Sequence, residues 1–290
     1  MKKILSLVLV LVFALTCFAA CGGDDNDGTN NEKDYTLALA VESTESDGKI
    51  TNYVAALVLD KDNKIVAARI DCVETTLTVT DDAITDVASV ATKVELGDNY
   101  AMESGSFANQ TKAFENAIVG KTADEVKNLD LSLVTGCTMP YSPFSFKTVI
   151  AKAFASTNKA TFKTASAITV GVAANMKVSG SKASADFAGV VMVGDKIAAV
   201  ILDSNEYTAT VADGEITVGA YNGTKVELGD NYAMESGSFA KQTDAFENYV
   251  IGKTEAEIAT LDFTLITGCT MPYTPYSFQA VLVEVIGYAR

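Results

Sequence analysis

Residues Thr92–Ala108 read TKVELGDNYAMESGSFA, and the same seventeen letters return unchanged at Thr224–Ala240, 132 residues later. A duplicated unit accounts for this recurrence. At the same offset, Lys64–Thr92 matches Lys196–Thr224 at 13 of 29 positions, and Lys93–Val149 matches Lys225–Val281 at 40 of 57. The similarity therefore spreads outward in both directions and is densest in the second half of each copy. Two homologous domains are expected, 33–156 and 165–290, joined by Ser156–Thr161.

Each copy begins with apolar runs bounded by turn residues, the pattern of strands. The expected strands are Tyr35–Val41, Tyr53–Leu59 and Ile65–Asp71, then Ile168–Val172, Phe187–Val193 and Ile197–Asp203, with shorter ones at Thr76–Val79 and Thr208–Val211. Asp60-Lys61-Asp62-Asn63 and Gly194-Asp195 are hairpin connections. The period then changes. Phe107, Thr111, Phe114 and Ile118 fall on one stripe of a helix that Ser106 caps and Gly120 ends. Thr122-x-x-Glu125 and Thr254-x-x-Glu257 are capping boxes that open a second short helix. A last helix runs from Ser145 to about Phe154, and from Ser277 to about Ile286. The fold class is α+β, each domain an antiparallel sheet with two or three helices.

Composition narrows the chemistry. The 290 residues contain no His and no Trp, which removes His-based nucleophile systems, the HExxH zinc site and the histidine pH switch. Twenty-two basic against 37 acidic side chains give a net charge of −15, and such a surface repels phosphate backbones, so nucleic acid is excluded as a partner. At the N-terminus, Lys2 and Lys3 precede the apolar run Ile4–Thr16 and the residues Phe18-Ala19-Ala20-Cys21. This is the layout of an export signal over 1–20, and its apolar run is too short to span a bilayer. Residues 21–32, rich in Gly, Asp and Asn, read as a flexible acidic tether. Without residues 1–20 the charge becomes −17. Cys72, Cys137 and Cys269 remain after Cys17 and Cys21, so at most one disulfide can form among them.

Several motifs have plain structural readings. Gly120-Lys121-Thr122 and Gly252-Lys253-Thr254 lack the upstream glycine of a phosphate loop and read as a helix exit followed by a cap. Glu103, Glu115, Glu235 and Glu247 read as exposed or helix-end charges, and Met102 and Met234 as core gap-fillers. The segment Thr135-Gly136-Cys137-Thr138-Met139-Pro140-Tyr141-Ser142-Pro143-Phe144, repeated as Thr267-Gly268-Cys269-Thr270-Met271-Pro272-Tyr273-Thr274-Pro275-Tyr276, is different. Its two prolines stiffen a loop that leads into a helix start, where free amides suit a phosphate. It is either a binding loop or a buried corner whose aromatics fill the core.

Phe18-Ala19-Ala20-Cys21 resembles the lipobox of bacterial lipoproteins, in which the cysteine is lipidated. Thr-Gly-Cys-Thr resembles the [Ser/Thr]-Gly-Ala-[Thr/Ser] motif of the FMN-binding domain found in extracytoplasmic subunits of bacterial electron-transfer complexes. Asp47-Gly48-Lys49-Ile50 and Lys64-Ile65-Val66-Ala67 resemble that domain's opening strands. Cys137 and Cys269 stand where the family has Ala, and Ser132 and Thr264 where it has Asp. KVELGDNYAMESGS and the GKTxxE after it also resemble a group of tandem secreted bacterial proteins of undefined ligand.

These resemblances imply a bacterial lipoprotein held outside the cytoplasm through Cys21. Its two repeats would carry FMN for electron transfer, joined to Thr138 and Thr270 by a flavin transferase. Thr135, Gly136, Cys137, Thr267, Gly268 and Cys269 would line the cofactor, with Tyr141, Phe144, Tyr273 and Tyr276 at the flavin ring. A redox partner would take the electrons. The alternative is a non-enzymatic surface lipoprotein that recognises a solute, glycan or protein, and a carrier or binder fits better than a catalyst.

Overall fold

Near-continuous apolar burial along each copy's opening strands builds two antiparallel sheets. The computed structural model describes residues 31–102, 105–137, 146–270 and 278–289. Its main strands are β1 Lys33–Ser46, β2 Lys49–Asp60, β3 Ile65–Thr76, β4 Val87–Val90, β5 Lys159–Thr164, β6 Ile168–Ser179, β7 Lys182–Val193, β8 Lys196–Ala212 and β9 Glu215–Val218. The helices are α1 Phe107–Ile118, α2 Ala123–Lys127, α3 Phe146–Ala155, α4 Lys225–Leu228, α5 Phe239–Val250, α6 Glu255–Ala259 and α7 Phe278–Tyr288. The α+β class and the helix positions agree with the sequence. Residues 1–30, on which the expected export signal and lipidated Cys21 fall, lie outside the described residues.

One sheet has the order β3-β2-β1-β5 and the other β9-β8-β7-β6-β4. The β1–β2 hairpin turns at Asp47-Gly48, with φ of +53° and +74°, as a two-residue turn with positive φ at both central positions requires. Segment 156–161, expected as a linker, is half strand. Lys159–Thr164 pairs with Lys33–Ala38 along the open edge of β1, where Ala160 and Phe162 pack inward. On the other sheet β4, from the first repeat, pairs with β6 of the second through Val90–Met176 and Val87–Val178. Each sheet thus ends on a strand from outside its own meander.

Both faces of each sheet are covered. Leu37, Leu39, Val41, Val54, Ala56 and Val58 form one continuous core with Val170, Val172, Met176, Phe187, Val191 and Ile201. The alternate residues face outward. Ala55, Leu57 and Leu59 pack under Phe107, Phe114, Val149 and Ile150, and Ala188, Val190 and Leu202 pack under Phe239, Phe246, Val281 and Val285. The result is a helix layer, two facing sheets and a second helix layer, with residues 31–290 in one compact unit. Each fully buried aliphatic side chain contributes about 1.5–3 kcal/mol relative to exposure.

Pseudo-symmetry is visible at the contact between sheets. The hairpins place β2 and β7 at an offset of 133, so Ala56 and Gly189 are equivalent. A Cβ on Gly189 would lie 3.2 Å from the Ala56 Cβ and 3.1 Å from Leu39 Cδ1. A residue facing its own equivalent is the mark of an isologous contact. Nearby, a buried polar group pins the two sheets in register. The Ser43 hydroxyl donates to Asn52 Oδ1 and lies 2.6 Å from the Tyr207 hydroxyl, while Asn205 Nδ2 donates to Asn52 Oδ1 at 2.7 Å.

The unchanged seventeen residues have a structural account. Thr224 and Glu227 form a capping box, and Thr92 and Glu95 exchange the same two bonds. The Lys93 ammonium sits 4.7 Å from the Tyr100 ring centre and 5.6 Å from that of Phe107. Lys225 repeats this over Tyr232 and Phe239 at 5.0 and 5.3 Å. Each cation is partly desolvated against aromatic faces, where such contacts are strongest.

Helix α7 approaches β6 closely at Gly171, where an added Cβ would lie 2.4 Å from the Val285 carbonyl oxygen. Gly171→Ala is expected to cost about 1–3 kcal/mol in urea unfolding through overpacking. Gly287→Ala, in the same helix with open space around it, is expected to be neutral or to stabilise by up to about 1 kcal/mol.

Candidate functional site

The Thr-Gly-Cys-Thr loops divide sharply between core and surface. Gly136 and Gly268 take φ of +84° and +88°, a region that favours glycine. Thr135, Thr267 and Thr270 are exposed. Cys137 and Cys269 are buried in the two helix-side cores. The motif cysteines therefore pack as small apolar side chains. Gln242 Oε1 accepts from the Thr270 amide at 2.8 Å and from its hydroxyl at 3.2 Å, which fixes that threonine at the surface. Thr138, Tyr141, Phe144, Tyr273 and Tyr276 lie outside the described residues, as does Glu103. An exposed Thr270 beside a glycine fits attachment of a phosphoester, whereas Cys269 is turned away from any ligand at that surface.

Two glutamates expected as exposed or helix-end charges instead turn toward the sheets, Glu115 buried and Glu247 partly buried where α1 and α5 meet them. Glu115 Oε1 accepts from the Ile70 amide at 2.8 Å, and Glu247 Oε1 accepts from the Leu202 amide at 2.7 Å. Each takes the place of a ladder partner where the strand has no neighbour: β3 is the outer strand of its sheet, and β8 is covered by β9 only along Ala209–Ala212. The amphipathic stripe hides this role, because the acid adjoins Phe114 or Phe246 on the buried side of the helix. Glu115 also meets Arg69 Nη1 at 3.4 Å. The second copy has Ile201 in the place of Arg69, and burial raises Glu247 to about 8. Glu235 stays exposed, and Met102 and Met234 pack partly buried against the helix-side cores.

Beside each glutamate lies an aspartate with a repeated set of donors. Asp71 Oδ1 accepts from the amides of Cys72 at 2.7 Å and Val94 at 3.1 Å. Asp203 Oδ1 accepts from Ser204 at 2.8 Å and Val226 at 3.2 Å. Burial outweighs these bonds and raises each carboxyl to about 7.

A cavity of about 250 Å³ opens between the repeats, lined by Arg69, Asp71, Glu95, Glu115, Val172 and Tyr288 among others. It draws on β3, the start of the unchanged segment, α1, β6 and the end of α7, so no contiguous motif announces it. Arg69 supplies a guanidinium, Asp71 and Glu95 carboxyls, and Val172 an apolar wall. The Tyr288 hydroxyl donates to Glu95 Oε1 at 2.9 Å across its rim. Among the described residues, no group of three His, Cys, Asp or Glu side chains is arranged to hold a metal.

No family model matches the chain, and neither a curated protein nor a solved structure matches it.

The raised carboxyls set a pH dependence. Each binds its proton more tightly in the folded than in the unfolded chain, so its contribution is complete below the ordinary carboxylate range near 4 and is lost as pH rises through 7 to 8. Urea unfolding is expected to give higher stability at pH 5 than at pH 8, by at least about 1.4 kcal/mol, the worth of one unit on one group. Glu247→Gln keeps an acceptor for the Leu202 amide and is expected to flatten the upper part of that slope.

Proposed function

We propose that this protein is an extracytoplasmic, lipid-anchored binding protein without an enzymatic step of its own, built from two tandem homologous domains, 33–156 and 165–290. The site is the cavity between them, and its occupant is a small zwitterionic solute. The observation that carries this reading is the cavity's lining, which sets the Arg69 guanidinium against the carboxyls of Asp71 and Glu95 beside an apolar wall. An anionic end of the solute would face Arg69 and a cationic end the carboxyls, as buried charges require paired partners. The volume of about 250 Å³ falls below the ~300–1,000 Å³ of drug-sized sites, so the ligand is small. Among the described residues, no helix is long and apolar enough to cross a membrane, and anchoring is assigned to a lipid on Cys21.

A second reading is favoured by Thr270 alone. Its exposed hydroxyl, held by Gln242 Oε1, would carry FMN through a phosphoester, with Gly268 allowing close approach. Thr138 would do the same in the first repeat. The bound flavin would supply one- and two-electron chemistry, and the chain would hold it for a redox partner.

Intact mass and visible absorbance of the exported protein separate the two. The binding reading expects a colourless chain with no mass beyond its lipid, whereas an added FMN on a peptide with Thr138 or Thr270 establishes the flavin reading. A thermal-shift screen of zwitterionic solutes then tests the cavity. A ligand at about 100 times its Kd adds about 2.7 kcal/mol, and Arg69→Ala is expected to abolish the shift. A shift that survives Arg69→Ala overturns the cavity as the site.

A further inference from the structure

The duplication places two equivalent junctions between the repeats, and one of them shows how an ammonium is held there. Lys152 of α3 reaches into the second repeat. Its ammonium lies 3.0 Å from Glu227 and 3.8 Å from Glu42, donates to the Val41 carbonyl at 2.6 Å, and stands 5.6 Å from the Tyr221 ring centre. Two carboxylates, a carbonyl and an aromatic ring thus meet one cation, which pairs charges that packing partly withdraws from water.

The cavity lies at the other junction. Glu95 stands where the second copy has Glu227, but the position equivalent to Lys152 is Glu284 on α7, so that helix brings no ammonium at this position. Asp71 sits beside Glu95, because its Oδ1 accepts from the Val94 amide at 3.1 Å. Arg69 and Asp71 are two apart on β3 and share a face, but the guanidinium is engaged with Glu115 at 3.4 Å and with the Ala68 carbonyl at 2.8 Å. Among the described residues, no lysine or arginine forms an ion pair with Asp71 or Glu95. The lining therefore sets three carboxyls, Asp71, Glu95 and Glu115, against one guanidinium. Tyr288, bonded to Glu95 at 2.9 Å, adds an aromatic ring to it.

An acceptor from β6 points the same way. The hairpin offset of 133 makes Asn175 the equivalent of Glu42. Its Oδ1 is buried and receives no hydrogen bond, whereas Glu42 lies against the Lys152 ammonium. A buried acceptor without a donor marks a place where a polar group is called for.

We propose that the solute of this cavity carries an ammonium in addition to its zwitterionic ends, and that this group seats on Glu95 and Asp71 as Lys152 seats on Glu227 at the other junction. The inference rests on the cavity being the solute site. It narrows the solute to a small dibasic zwitterion, with one carboxylate for Arg69 and two cationic groups for the surplus carboxyls. A solute with a single cationic end leaves one of those carboxyls unpaired in a partly apolar enclosure, which weakens binding.

Calorimetric titration of the full chain tests this with lysine, ornithine and diaminobutyrate, each against norleucine, norvaline or aminobutyrate, the counterpart that lacks only the side-chain ammonium. The best dibasic solute is expected to bind at least about tenfold more tightly than its counterpart. Glu95→Gln keeps an acceptor for the Thr92 amide that Glu95 holds, and should bring the two to equal affinity. Glu284→Lys installs the ammonium found at the other junction, and should raise the urea midpoint without solute and abolish dibasic binding. Circular dichroism checks that each variant folds, and Glu95→Gln decides alone if Glu284→Lys does not. Equal affinity for a dibasic solute and its counterpart in the unaltered chain, or a dibasic preference that survives Glu95→Gln, overturns the inference and leaves the cavity as a zwitterion site. If no solute of either series or of the zwitterion screen binds, the cavity reading falls and the inference falls with it.

Discussion

Each sheet of this protein is apolar on both faces, and its own helices can cover only one. That imbalance governs everything else. The uncovered faces of the two copies close on each other, so tightly that a Cβ on Gly189 would crowd Ala56 and Leu39. The buried Ser43, Asn52, Asn205 and Tyr207 then fix how they meet. An apolar contact alone would tolerate sliding by a residue pair, whereas buried hydrogen-bonding groups do not, because a shifted register leaves them unpaired.

The identity of the seventeen repeated residues is better explained by this architecture than by a shared ligand. The segment shields an otherwise open strand edge, with the Lys93 amide on the Cys72 carbonyl and the Val94 amide on Asp71. Its Thr caps and its Lys lies over two rings in both copies, and Ser106 caps the next helix in the first. Several partners constrain each residue at once, so substitutions are costly in either copy. Divergence shows instead where the copies face each other. The second copy has Ile201 where the first has Arg69, and Glu284 where the first has Lys152. The cavity contains Arg69 and so has no exact counterpart in the second copy.

Much of the local structure was legible. The Thr122 and Thr254 capping boxes form as read, Gly120 and Gly252 end their helices at positive φ, and the hairpins fall at the expected turns. These features are set by residues within a few positions of one another, where sequence carries the full physics. The joining strand was missed because its pairing energy comes from β1, more than a hundred residues away. Glu115 and Glu247 were misread because an acid on a helix is ordinarily solvated, and only the sheet beneath supplies the amides that hold them. The cavity left no trace in the letters, since its walls are separated by up to 219 positions, from Arg69 to Tyr288.

The borrowed edge strands have a consequence for how the chain comes to be folded. When the first copy has been synthesised and the second has not, β1 still lacks its neighbour β5, β4 has no sheet to join, and the inner face from Leu37 to Val58 is uncovered. That half-made molecule presents an apolar face and an open hydrogen-bonding edge, the two features that invite association between chains. Topology therefore ties folding of the first copy to completion of the chain. The second copy is the covering that the first awaits, and it is made last.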